Sequence, residues 1–233
     1  MLLTKLAPLL LLTALASANV VDITSLNTYV HYDGALQATL DPSSTSLDAN
    51  GFGSFSFYWE NDTGGPVTSV TLDLFLDAFL DSDQYNELGE FDGLTLSALA
   101  PSGAIAPTHW EIDEPSYFCG DIYYNATSAT GQLDDQNYVP CVIPPDPPTP
   151  DDLSQALQFD LGPISAGDSV TITGNISLEA IGLKQTDVDT GDSFHLNAWA
   201  VATAPTVSAP EPGSFGLCAV MLLAIYLKKG LPR

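Results

Sequence analysis

Positive charge is what this sequence most lacks. Its 233 residues carry five Lys and Arg against 29 Asp and Glu, a formal net charge of −24 at pH 7. Four of the five basic residues, Lys5, Lys228, Lys229 and Arg233, sit at the two ends, so Lys184 stands alone between them. All of the acidic residues except Glu211 lie between Asp22 and Asp192. Nucleic acid is excluded as a partner, because phosphate contacts are made by Lys and Arg. Anionic membrane surfaces are disfavoured on the same ground. Cations, cationic polymers and neutral sugars remain. Cysteine is scarce too, with Cys119 and Cys141 in the body and Cys218 near the end. His31, His109 and His195 are scattered, with no two at metal-ligand spacing. Neither a G-x-S-x-G elbow nor a phosphate loop is present. These absences leave no catalytic constellation, and a noncatalytic protein is expected. Acidity alone would suit disorder. With 45% hydrophobic residues, however, the chain has material for one ordinary core.

Long apolar runs are missing as well, and the two short ones that exist are at the ends. Lys5 precedes the run Leu6 to Leu15, which leads to Ala16-Ser17-Ala18. Positive residue, apolar stretch and A-x-A site in that order define a secretory signal peptide, residues 1–18, cut by signal peptidase before Asn19. At the other end, a Pro- and Ala-rich linker (202–209) leads into Pro210-Glu211-Pro212, the apolar run Phe215–Leu227, and the basic residues Lys228, Lys229 and Arg233. With its flanks the run makes a helix of about 15 residues, roughly 22 Å long. That is short of the ~30 Å hydrocarbon core, and the basic flank places its end in the cytoplasm. Such a segment suits a transient stop rather than a permanent anchor. An LPxTG sortase motif is absent, and GPI tails do not usually end in a Lys-Lys pair.

Residues 210–233 resemble the PEP-CTERM sorting signal of exported proteins in many Gram-negative bacteria. The resemblance rests on the Pro210-Glu211-Pro212 motif, the apolar helix and the basic end in that order, although the tail KKGLPR dilutes the usual Arg-rich cluster. It implies recognition by an exosortase, a membrane-embedded cysteine transpeptidase that cleaves near the motif. The expected course is export, a precursor held transiently in the inner membrane, then release to the cell surface or outside.

Between the ends, residues 19–201 read as strands. Val70, Leu72, Leu74 and Leu76 alternate with polar neighbours, as do Phe55, Phe57 and Trp59, Val170 to Leu178, Leu94 to Ala98, and Phe194 to Ala200. Period two is the pattern of half-buried strands. Asp62-Thr63-Gly64-Gly65-Pro66 and Ala166-Gly167-Asp168 supply turns. The only helical expectation in the body is a turn or two over Asp151 to Leu157. The chain is therefore expected to be all-β, an antiparallel β-sandwich of immunoglobulin-like or jelly-roll kind, with a signal peptide before it and an apolar helix after it. Residues 127–152 are expected to form a long surface loop, because Pro140, Pro144, Pro145, Pro147, Pro148 and Pro150 cannot join a ladder. Three blocks, Phe57–Pro66, Trp110–Tyr123 and Pro150–Gly162, resemble a β-rich domain that recurs in PEP-CTERM proteins. That resemblance implies a secreted β domain and carries no activity.

The remaining chemistry lies in the body's cysteines and carboxylates. Cys119 and Cys141, an even pair in an exported chain, point to a disulfide clipping the Pro-rich loop; the alternative is a reactive thiol with His109 as its neighbour. Asp81, Asp83, Asn86, Glu87, Glu90 and Asp92 crowd one loop, and Asp187, Asp189 and Asp192 a second. Oxygen ligands at alternating loop positions suit Ca²⁺, though neither loop has EF-hand spacing. Glu111, Asp113 and Glu114 beside Trp110 offer the carboxylates of a glycosidase, with Glu111 and Asp113 on one strand face. The main expectation is an exported, noncatalytic surface or matrix protein associated with exopolysaccharide. The alternative is a carbohydrate-active enzyme, or a carbohydrate-binding module stacking sugars on Trp110 and Tyr123.

Overall fold

In the computed structural model, residues 19–81, 87–92, 95–115, 120–128, 131–137 and 152–204 are described. The signal peptide with Ala16 and Ala18, Asp83, Asn86, Cys119, Cys141, most of the Pro-rich loop, and the sorting motif Pro210, Glu211 and Pro212 lie outside them.

Alternating apolar residues set the architecture. The strands in chain order are β1 (Val21–Tyr32), β2 (Ala35–Leu40), β3 (Ser44–Leu47), β4 (Gly53–Glu60), β5 (Val67–Leu80), β6 (Glu87–Phe91), β7 (His109–Asp113), β8 (Ser154–Ile164), β9 (Ser169–Ser177), β10 (Leu183–Asp187) and β11 (Ser193–Thr203). One helix, α1 (Ile122–Thr127), follows β7. A five-stranded sheet runs β2-β1-β5-β8-β7 and a six-stranded sheet runs β3-β4-β9-β11-β10-β6, with every strand pair antiparallel. The expected antiparallel sandwich is thus the fold.

The two sheets meet through the expected faces. Leu72, Leu74 and Leu76 of β5 pack with Leu157 and Phe159 of β8 against Phe55, Phe57, Ile172, Ile176, Leu196 and Ala198 of the opposite sheet. Each is nearly or fully excluded from solvent, so each contributes about 1.5–3 kcal/mol of apolar burial. Gly174 is required where β9 passes under Phe55, because a Cβ there would run into the ring.

The five-stranded sheet is covered on its outer face as well. Tyr29, Phe75 and Ala156 point outward and are buried by Ile122 and Ala126 of α1 and by Leu133. The expected surface loop is therefore in part a layer of the molecule. Its residues 131–137 run beside β7, with a parallel bridge between Glu111 and Gln136. Two other expectations are corrected. Residues from Ser154 onward are strand β8, because Leu153, Leu157 and Phe159 at odd positions all enter the core. Leu96–Leu99 is a 3₁₀ turn, not a strand: three-residue spacing puts Leu96 and Leu99 together on the core, and the Ala98 N–H bonds the Thr95 carbonyl at 2.8 Å.

The corner joining β4 to β5 is held by Asn61, which is 1% exposed. Its amide nitrogen donates to the carbonyls of Gly65 and Ile164, both at 2.9 Å, and its oxygen accepts from the N–H and hydroxyl of Thr63. The sequence block Phe57–Pro66 is this corner, and the other two blocks meet as the pair β7–β8.

Candidate functional site

Strand alternation in β7 sends Ile112 into the core and turns Glu111 and Asp113 to the opposite face. There they meet Asp121, the residue preceding α1, so that one carboxylate oxygen from each lies within 4.8 Å of the others. The sharing of one face by Glu111 and Asp113 follows from their spacing; Asp121 joins them only because the chain turns back. With Asp134, Gln136 and Asn137 they line a cavity of about 300 Å³. No Lys or Arg lines it.

Glu111 is 2% exposed and held from two sides. Asn125 of α1 donates to its Oε2 at 3.1 Å, and the Asp134 N–H donates to the same oxygen at 3.1 Å. Burial pushes Glu111 up to about 8; those two donors hold it down, and neighbouring Asp121 raises it further. Asp113 accepts from the N–H groups of Glu114 at 2.9 Å and Asp121 at 3.1 Å, yet burial still raises it. Burial and then Asp121 and Asp135 raise Asp134. Hard oxygen donors with no counter-charge fit a divalent cation by ligand type, and equally suit a shared proton.

The acidic loops sort differently from their order in sequence. Asp81, from the first loop, comes within hydrogen-bonding reach of Asp192 in the second, and Asp187 adds its charge to Asp192. Burial, then Asp81, holds Asp192 above the usual carboxylate range. Asn19, with its amide nitrogen turned inward, donates to both Asp192 oxygens at 3.0 Å. Asp187 caps its own loop, accepting from the N–H groups of Asp189 at 2.7 Å and Thr190 at 2.9 Å. Two residues assigned to the first loop go elsewhere. Glu90 pairs with Lys184 at 2.9 Å, and Glu87 is fully buried. Glu87 accepts from the N–H groups of Leu80 at 3.0 Å and Leu153 at 3.1 Å and from Gln185 at 2.6 Å. Burial pushes it up to about 8.

The aromatics expected to stack on sugars are packed against protein. Trp110 lies 5.1 Å from Phe91, centroid to centroid, and Tyr123 contacts Tyr29 and Phe75 at 6.2 and 5.9 Å. Sequence spacing also gave no sign that each histidine faces an aspartate. His31 lies 3.2 Å from Asp73, His109 2.9 Å from Asp135 and His195 3.3 Å from Asp92. No family model, curated protein or solved structure matches the chain. Among the described residues, no helix is long and apolar enough to cross a membrane.

Proposed function

We propose that the chain is an exported, noncatalytic protein of the cell surface or extracellular matrix, sorted and released through its C-terminal tag, with a structural or binding role among exopolysaccharides. The observation that carries this reading is the match between fold and processing signals. The sandwich begins at Val21, two residues after the expected signal-peptidase cut, and ends at Thr203, within the linker before the sorting motif. Both cuts would leave every described strand intact. The finer fold class is of jelly-roll kind, a reading supported by the path of the chain. It changes sheet between β2 and β3, β4 and β5, β5 and β6, β6 and β7, and β8 and β9.

The test is fractionation of a host that has an exosortase and of one that lacks it. The wild-type chain is expected at the surface or in the medium of the first and in the inner membrane of the second. Pro210→Ala with Pro212→Ala is expected to hold it in the membrane of both. Equal release from both hosts, with the variant behaving as wild type, would reject the sorting reading.

One observation favours a calcium-stabilised version of this body. Asp81 and Asp192 approach each other with Asp187 beside Asp192, and a cation or a proton between them would relieve their mutual repulsion. The Glu111 cluster offers a second set of oxygens.

A further inference from the structure

We propose that the outer face of β3, β4, β9 and β11, beside the charged strands β10 and β6 of the same sheet, binds an uncharged polysaccharide chain. Strands β3, β4, β9 and β11 read STSL, GSFSFYWE, SVTITGNIS and SFHLNAWAVAT, and their only carboxylate is Glu60, at the end of β4. In a chain this acidic, one broad surface has been left almost without charge. Their inward positions are apolar and fill the core, so the outward ones form the face.

The register lays that face out in rows. Ser44, Ser56, Thr173 and Trp199 stand side by side across four strands, and Tyr58, Thr171 and Val201 make the next row. Adjacent rows are about 7 Å apart and adjacent strands about 4.8 Å. Tyr58 and Trp199 are thus two aromatic plates separated diagonally by about 12 Å, with threonine hydroxyls between them. Tyr58 is 49% exposed, and its hydroxyl donates to Glu60 at 2.8 Å, which fixes the ring. Neither Tyr58 nor Trp199 belongs to the packed cores. Asn197 stands on the neighbouring row with Asn175, its side-chain oxygen buried beneath that row without a hydrogen bond. Asn175 also opens into a groove of about 680 Å³ that it shares with Asn50, Phe52 and one carboxylate, Asp48, whose Oδ1 is taken up by the N–H groups of Asn50 and Phe52.

Hydroxyl and amide groups in rows, with aromatic faces among them, match the alternating hydroxyls and C–H faces of a sugar chain. Charge selects the kind of chain. A polyanion is repelled by the rest of the molecule, and a polycation is drawn to the acidic clusters elsewhere. A neutral glycan is left for the neutral face. The inference builds on the matrix reading above and names the chemistry of its partner.

The test is native affinity electrophoresis of the full-length chain in gels containing hydroxyethylcellulose, dextran or alginate. Retardation is expected with at least one of the two neutral polymers and not with alginate. Trp199→Ala with Tyr58→Ala is expected to weaken that retardation at least tenfold, and so is Thr173→Asp, a surface change that keeps the aromatic pair. Val188→Ala, an exposed apolar residue outside these strands, is expected to leave it unchanged. Circular dichroism checks that each variant is folded. No retardation in either neutral gel, retardation only in alginate, or full retention by folded variants would overturn the proposal. So would a change of oligomeric state on Trp199→Ala without any effect on glycan binding, which would assign the face to a second copy. A chain correctly sorted but not retarded rejects the glycan face alone; a chain retarded but never sorted rejects the sorting alone.

Discussion

Gln155 sits in the inter-sheet core, fully buried, with neither its amide nitrogen nor its oxygen hydrogen-bonded. An unsatisfied buried polar group costs about 1–3 kcal/mol. Gln155→Met, close in shape, is therefore expected to raise the denaturant midpoint, and a lower midpoint would contradict that account. Glu87 is the opposite case, a carboxyl whose oxygens are all occupied but whose charge has no partner. Its folded pKa of about 8 exceeds its ordinary 4.5, and Glu111 shares both the value and the cause. Between those limits the native state holds more protons than the unfolded chain. Stability is then fully present below about pH 4.5 and is lost as pH rises towards 8, by up to about 1.4 kcal/mol per pH unit for each group. A melting temperature lower at pH 8 than at pH 5 is expected, with Glu87→Gln flattening the slope. That variant should also lose about 1–3 kcal/mol, because its amide must turn an N–H toward Leu80 or Leu153. A flat wild-type profile would show that neither carboxyl is raised. Neither residue could be read in this way from sequence. Glu87 looked like a loop ligand because its neighbours are acidic, and only the return of β8 and β10 beside it makes it a core residue.

At the level of elements, the strands with a plain period of two were legible: β4, β5, β9 and β11 put their alternate apolar residues where the sequence said, except that Leu178, expected in the β9 set, lies just past the strand and is exposed. Shorter or mixed ones were not. Leu96–Leu99 fits period two and period three equally, and the core chose three. Strand β8 begins SQALQF, with buried residues on both faces because α1 and residues 131–137 cover the outer side, which hides the alternation. Two elements give direct tests. Gly174→Ala must displace Phe55 and is expected to cost about 1–3 kcal/mol, seen as a lower midpoint with an unchanged slope in urea. A wild-type midpoint would mean that Phe55 yields freely. The two acidic loops, separate in sequence, meet through Asp81 and Asp192. If Ca²⁺ binds there, Asp81→Asn and Asp187→Asn should each diminish the same thermal shift. At a hundredfold excess over Kd that shift corresponds to about 2.7 kcal/mol. Equal shifts in matched millimolar Ca²⁺ and Mg²⁺ would indicate screening alone, and loss in only one variant would separate the loops again.

Across the whole molecule, charge is distributed by face. The five-stranded sheet carries Asp22, Asp73, Asp77, Glu111, Asp113 and Asp160 within its strands; the six-stranded sheet carries Glu60, Glu87, Glu90 and Asp187, the last three all in β6 and β10, which leaves β3, β4, β9 and β11 with one carboxylate. Composition alone revealed the excess of acid; the segregation needed the strand order, which sequence does not state. The reading of the two ends, by contrast, rests on sequence alone, because signal peptides and sorting tags are recognised as linear segments and both lie outside the described residues. Export and removal of both ends is the claim on which the functional account stands, and intact-mass and terminal-peptide mass spectrometry of the released protein tests it most directly. The expected product begins at Asn19 and ends near Pro210. A released chain that still carries Phe215–Arg233, or one that begins at Met1, would contradict it.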